Sequence, residues 1–357
     1  MLKMNKTLII KSIGTANPGI AKILADAFEI NHEFLVKQLY NAPSVFLENA
    51  EKEIADRAAE LLEQLGLEVF LQDANMPLPV KSEPVDIAIF IKNPLEINQV
   101  SKQLAVFLGC KENEALSLLL NEPSVVLGNV SMATAETLQK RIEAEVIASN
   151  PRKDFYTIQF LNGDKKLHQE IQALLKTKGI HAKSEKTITN IPYLVAQEIW
   201  QRYQLSKKII LYNQSYQRFE IVLQNFDLND TVQTAFLTEE IGMPKDALST
   251  IFENLPVALD ESISQNEANE KMEIYSNIGL VCKPSPIPFG KYKINAENIA
   301  NAKQFEGVVK QFYKDIKLEK DLNRWSAPLP LDSVLNRFLE KQLEFIGCEI
   351  TREYEAL

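Results

Sequence analysis

The sequence predicts an α/β (α+β) fold: tandem copies of a strand–helix–helix–strand–helix–strand module, each a small antiparallel sheet with three helices on one face. Three observations predict it. A ten-residue phrase occurs twice, as NAPSVFLENA at 41–50 and NEPSVVLGNV at 121–130, with a looser echo, NLPVALDESI, at 254–263. Around each copy the hydrophobic periodicity runs through the same succession of strand-like and helix-like patterns. The first strands of successive units begin near residues 7, 85, 154, 217 and 291.

The first unit, 1–73, opens with TLIIKSI (7–13), a β-branched apolar run that reads as a strand. A helix follows over NPGIAKILADAF, with Ile20, Ile23, Leu24 and Ala27 on one face. A second short helix, INHEFLVKQLYN, stops before Pro43, because proline lacks the N–H that would continue the ladder. SVFLEN is a short extended piece. EKEIADRAAELLEQL is the third helix, with Ile54, Ala58, Leu61, Leu62 and Leu65 on one stripe. Gly66 ends it, since glycine takes the left-handed cap without a Cβ penalty. LEVFLQ (67–72) is the last strand.

The second unit, 85–150, repeats the order: VDIAIFIKN, a helix with Ile97, Val100, Leu104, Phe107 and Leu108 on one face, a helix stopped before Pro123, SVVLGN, ATAETLQKRIEA and EVIAS. The glycine before its last strand is missing. Residues 217–285 give a further clear copy, where Ser264 and Glu267 spell a capping box and a glycine precedes the closing strand. Two degenerate copies, 154–213 and 291–357, fill the gaps, the former with its middle helix trimmed. Connectors are proline-rich (ANMPLPVKSEP, SNPRKD, KPSPIPFG), which keeps helices from running through the joints.

The outer faces of the strands carry apolar residues. Ile9 opposes Leu8 and Ile10, Ala88 and Phe90 oppose the isoleucines at 87, 89 and 91, and Phe70 opposes Leu67, Val69 and Leu71. A sheet face left to water would be polar, so sheet backs or edges are expected to pair between units or between chains.

With the middle of the first unit in view (LVKQLYNAPSVFLENAEKEIADRAAELLEQLGLEVFLQD), the module resembles the C-terminal domain of the bacterial large-subunit ribosomal stalk protein. A protease adaptor family shares that topology. The resemblance covers 1–73 well, 85–150 and 217–285 fairly, and the rest weakly. It implies that Lys22 and Lys102 stand where the family places a first-helix lysine that contacts translational GTPases. The third clear copy has Ala235 there. The family's next basic positions read Ala25, Ala105, Glu33 and Asn113, so most of that contact set is missing. The family's dimerisation arm and hinge find no counterpart ahead of the first strand.

The chain has 357 residues, 45% apolar and 24% charged, with net charge −9. That acidity opposes phosphate backbones, so no nucleic-acid partner is expected. No apolar run approaches a membrane span or a signal-peptide core, so a cytoplasmic protein without membrane insertion is expected. Cys110, Cys282 and Cys348 show neither disulfide nor zinc spacing and read as buried hydrophobes. No phosphate loop or nucleophile elbow occurs, and His32, His168 and His181 have no ligand spacing. No catalytic, metal or cofactor residues are assigned, and no cofactor is expected. Candidate partner-binding residues are Lys22, Lys102, Trp200, Tyr203 and Trp325, the aromatics because such residues anchor interfaces. The same aromatics also fit a core.

Three functions remain open at this stage: a non-enzymatic interaction or assembly scaffold binding a protein partner or itself; an adaptor recruiting a translational GTPase or a protease; and an enzyme whose site lies between modules.

Overall fold

A computed structural model describes residues 5–161, 164–180, 187–287, 289–314 and 323–354. Its first segment runs β1 (Asn5–Ser12), α1 (Ile20–Phe28), α2 (His32–Tyr40), β2 (Ser44–Glu51), α3 (Lys52–Gln64) and β3 (Glu68–Asp73). The second runs β4 (Val85–Phe90), α4 (Ile97–Leu108), α5 (Glu112–Leu120), β5 (Ser124–Val130), α6 (Met132–Arg141) and β6 (Glu145–Ser149). The third has β7 (Phe155–Phe160), α7 (Lys165–Thr177), β8 (Thr187–Pro192), α8 (Tyr193–Tyr203) and β9 (Ile209–Asn213). The fourth has β10 (Phe219–Asn225), α9 (Thr231–Ala235), α10 (Leu248–Glu253), β11 (Val257–Ile263), α11 (Gln265–Ile278) and β12 (Val281–Pro286). The fifth has β13 (Lys291–Glu297), α12 (Ala302–Val309), β14 (Trp325–Ser326), β15 (Leu331–Asp332), α13 (Ser333–Phe345) and β16 (Glu349–Tyr354).

Every sheet is antiparallel with its first strand in the middle. The orders are β2-β1-β3, β5-β4-β6, β8-β7-β9 and β11-β10-β12. In the fifth segment β13 is central. It pairs along its length with β16 and for two residues each with β14 and β15, which replace one continuous strand.

The repeated phrase acts as a helix stop followed by a bulged strand. Its first asparagine closes the preceding helix: the side-chain amides of Asn41, Asn121 and Asn254 donate to the carbonyls of Lys37, Ser117 and Thr250 at 2.9, 2.7 and 2.7 Å. Those carbonyls belong to the last turn, which has no helical donors left. The proline that follows is cis in all three copies. The ninth residue of the phrase is left-handed each time: Asn49 (φ 54°), Asn129 (φ 58°) and Ser262 (φ 60°). There the pairing of β1 with β2, β4 with β5 and β10 with β11 slips by a residue. Asparagine enters this conformation more readily than other residues with a Cβ. Gly66 (φ 90°) and Gly279 (φ 89°) close α3 and α11, and the Ser264–Glu267 capping box is formed.

The chain divides into two compact units, Met1–Lys153 with Gly290–Leu357, and Asp154–Phe289. In the first unit, segments one and two share a single core. It includes Leu8, Leu24, Leu39, Leu62, Ile87 and Leu104, and Val334 of α13 joins it. A separate core in segment five gathers around Ile294, Phe305, Trp325 and Leu343. In the second unit, segments three and four each have their own core.

Two helical stripes are rotated from expectation. On α1, Ile20, Ala21 and Leu24 are buried, while Ile23 is 53% exposed and Ala27 faces water. Of the expected face, Ile20 and Leu24 are buried and Ile23 and Ala27 are not; Phe28 takes their side, packing edge-on against Phe46 at 5.0 Å. On α3, Ala55, Ala58, Ala59 and Leu62 are buried and Ile54 is outside.

The expected pairing of sheet edges between segments is corrected, while burial of the sheet backs is seen in part. Among the described residues each sheet closes on strands of its own segment. Ile9 and Ala88 on the sheet backs are fully buried, yet Phe70 and Val125 on the flanking strands stay 40% exposed. In the second unit the returning chain covers the back of β7. The Gln159 amide accepts from the Phe289 N–H (3.2 Å) and donates to its carbonyl (2.9 Å), and Tyr212 meets the Phe289 ring at 4.5 Å. Among the described residues, helices make the joins in the first unit.

Candidate interaction surfaces

Among the described residues the first unit shows two junctions between segments, and both have the same form. The last helix of the later segment lies against the loop after the first strand and the end of the second helix of the earlier one. At the first junction, the α6 N-cap Ser131 N–H and the Thr134 hydroxyl both reach the Tyr40 carbonyl, at 3.0 and 2.7 Å. The Tyr40 hydroxyl donates to the Phe107 carbonyl (3.2 Å). At the far end of α6, Arg141 donates to the carbonyls of Ala16 (2.6 Å) and Gly14 (3.2 Å) and stacks 5.0 Å from the Phe107 ring. Burial lowers the Arg141 pKa, partly offset by Tyr40, and burial drives the Tyr40 pKa well up.

At the second junction Arg337 of α13 donates to the Ile91 carbonyl (2.8 Å), pairs with Glu122 (3.0 Å) and stacks 4.7 Å from Phe90. Leu335 and Phe338 of the same helix pack against the shared core of segments one and two. A guanidinium suits both places, since its planar fork serves carbonyls while its face lies on a ring. Arg141 and Arg337 were not singled out from sequence. Arginine on a charged helix carries no signal of which carbonyls will meet it.

Of the candidate residues, Lys22 and Lys102 occupy the same step of α1 and α4, counted back from the left-handed residues Glu29 and Gly109 that close those helices. Both are exposed, and among the described residues neither forms an ion pair. Exposed apolar side chains accompany them: Ile23 and Phe34 on the first helix pair, each 53% exposed, and Val106 on α4. Glu33 and Asn113 also face water, Ala25 is half-buried and Ala105 is buried. Ala235, at the end of α9, is half-buried.

Trp200 of α8 is 41% exposed, whereas Tyr203 packs half-buried on the segment-three core. Beside Trp200 on α8, Glu198 pairs with Lys178 (3.0 Å) and Arg202 (2.5 Å). The hydrogen bond from Lys178 is the main cause holding the Glu198 carboxyl below its ordinary pKa. Trp325 is corrected outright. It is 2% exposed and sits between Phe305 (5.6 Å) and Tyr313 (5.5 Å), so it anchors the segment-five core and offers no surface to a partner.

His32 is exposed at the start of α2, His168 meets the edge of Phe160 at 4.6 Å, and His181 lies outside the described residues. Among the described residues no group of histidine, cysteine or carboxylate side chains could hold a metal ion, and no helix is long and apolar enough to cross a membrane. Cys348 is buried and Cys110 and Cys282 are half-buried. Burial raises all three thiols, Cys282 up to about 11 with help from the Asp260 carboxylate. That carboxylate accepts a hydrogen bond from the buried Tyr275 hydroxyl and pairs with Lys271 at 2.6 Å. All of its described partners belong to its own segment, and they join β11 to α11.

No family model, curated protein or solved structure matches the chain.

Proposed function

We propose that the chain is a non-enzymatic assembly scaffold, built from small α/β modules of the ribosomal-stalk C-terminal kind and acting by binding protein surfaces. The observation that carries this reading is the junction used twice in the first unit. One module surface, a first-strand loop with a second-helix end, twice receives the last helix of another module. A surface that accepts the same kind of element in two places is an interaction device. Isolating native complexes from the source cells and measuring their mass tests the reading. A protein that stays monomeric at every concentration and retains no partner protein would refute it.

An adaptor role is the second reading, favoured by the exposed Lys22 beside Ile23 and Phe34 and by the matching Lys102. A positive side chain beside exposed apolar residues suits an acidic partner surface with apolar pockets. Lys22→Glu with Lys102→Glu is then expected to abolish capture of a translational GTPase or a protease while leaving the melting temperature unchanged. Capture that survives the double change removes this reading.

A further inference from the structure

We propose that the turn after α8 is a docking point for an anionic lipid surface, seating Leu205 at the headgroup level among lysines. This inference goes beyond the scaffold reading and does not rest on it. It starts from the five turns that join a last helix to a last strand. Four of them have two or three residues and bury an apolar one: Leu67, Ile142, Leu280 and Cys348. In the third segment the turn has five residues, 204–208, and every one is exposed. Leu205, in the single helical turn Gln204–Ser206, is 91% exposed. The left-handed position of this turn holds Lys207 (φ 55°), where the turns after α3, α11 and α13 hold Gly66, Gly279 and Gly347. A residue with a Cβ costs more there than glycine, so this turn gives up backbone ease for a charged side chain.

The charge around Leu205 also departs from the rest of the chain. Residues 154–213 hold nine lysines and arginines against five carboxylates, while no other segment has a basic excess and the chain carries −9. Four of those lysines gather at one end of the segment. The Lys208 ammonium pairs with Asp164 at 2.6 Å, and the Lys208 carbonyl accepts from the Leu161 N–H at 2.7 Å. These bonds set the turn beside the N-terminus of α7, where Lys165 and Lys166 follow Asp164. Asp164 is already engaged, since it caps α7 through the Lys166 and Leu167 N–H groups besides pairing with Lys208. Lys165, Lys166 and Lys207 are exposed and form no ion pair among the described residues.

The chemistry of the patch selects the occupant. Its cations are lysines, point charges on flexible stems, which suit a diffuse negative surface; a defined phosphate or carboxylate calls for the fork of arginine. The turn has no aromatic side chain on which a nucleobase could stack. A protein hot spot gathers several anchors inside a dry rim, whereas a single leucine flanked by cations needs only a fluid boundary to enter. Clusters of about four or more lysines read as sites for anionic lipid, and an apolar side chain beside them supplies the second signal that stable contact needs. The contact stays at the headgroup level and spans nothing.

Flotation of the full chain with vesicles of phosphatidylcholine, alone or mixed with phosphatidylserine, tests this. Binding is expected only with phosphatidylserine present, and it weakens as salt rises. A lysine at such a surface is worth about a five-fold change in affinity, so Lys165→Gln with Lys207→Gln is expected to weaken binding about 25-fold. Leu205→Ser is expected to weaken it about ten-fold. Lys37→Gln with Lys303→Gln removes the same charge from the first unit and is expected to leave binding unchanged. An equal loss in that control would show attraction to net charge alone and overturn the site. A wild type that does not float with phosphatidylserine vesicles would overturn the inference, as would full binding by Leu205→Ser and by the lysine variant. Dimers lost in Leu205→Ser, from a wild type that ignores vesicles, would instead give the patch to an acidic protein surface.

Discussion

Replacing Arg141 by alanine is the sharpest test of how the first unit holds together. The guanidinium makes a short bond to the Ala16 carbonyl (2.6 Å), a longer one to the Gly14 carbonyl (3.2 Å), and a stack on Phe107 at 5.0 Å. A hydrogen bond from a charged donor contributes about 1.5–3 kcal/mol, and a partly desolvated cation–π contact about 0.5–2 kcal/mol. The side chain is only half-buried, so the lower ends apply, and the longer bond counts least. The expected loss is about 2–4 kcal/mol. A unit of this size shifts by about 2–4 °C per kcal/mol, which puts the fall in melting temperature at about 4–16 °C. Differential scanning calorimetry resolves it as a downward move of one transition, with the transition of the Asp154–Phe289 unit in place. Arg141→Lys keeps the charge and one bond but loses the fork and the stack, so it recovers only part of the fall. A first-unit transition unmoved by Arg141→Ala would refute the view that this side chain ties the second segment to the first.

Three further outcomes are expected. Asn129→Val forces a β-branched residue to φ 58° and lowers stability by roughly 1–2 kcal/mol, while Asn129→Gly leaves it nearly unchanged; equal effects of both in urea denaturation would remove the left-handed residue from the account. Iodide should quench Trp200 and spare Trp325, so Trp200→Phe leaves a blue-shifted emission that resists quenching. The Cys282 thiol is raised in the folded chain to about 11 from an ordinary 9.0. Unfolding therefore releases its proton more readily. Its contribution is present below pH 9, and stability falls as pH rises from 9 through about 11. Cys282→Ala should flatten that part of a urea-denaturation pH profile, and an unchanged slope would show that the thiol is not the group responsible.

The local architecture was legible because it is written in short-range chemistry. Pro43, Pro123 and Pro256 end helices wherever they stand, Ser264 and Glu267 cap α11, and alternation against 3.6-residue periodicity separates strand from helix. The asparagines of the repeated phrase belong to the same class, since each acts on backbone within a few residues of itself. What decided the rest was contact between residues far apart in sequence. Ile23 or Phe28 could have faced the core of α1 on periodicity alone, and the position of Phe46 chose Phe28. Trp325 and Trp200 look alike as sequence, but one meets Phe305 and Tyr313 and the other meets water. Arg141 and Arg337 became clamps because packing set open carbonyls and a phenylalanine ring beside them. Ile54, which periodicity assigns to the core, stays outside because the sheet of its own segment is already covered by Ala55, Ala58, Ala59 and Leu62. Short-range rules select the module; only the assembled packing determines which of its apolar faces are used up and which remain for another molecule.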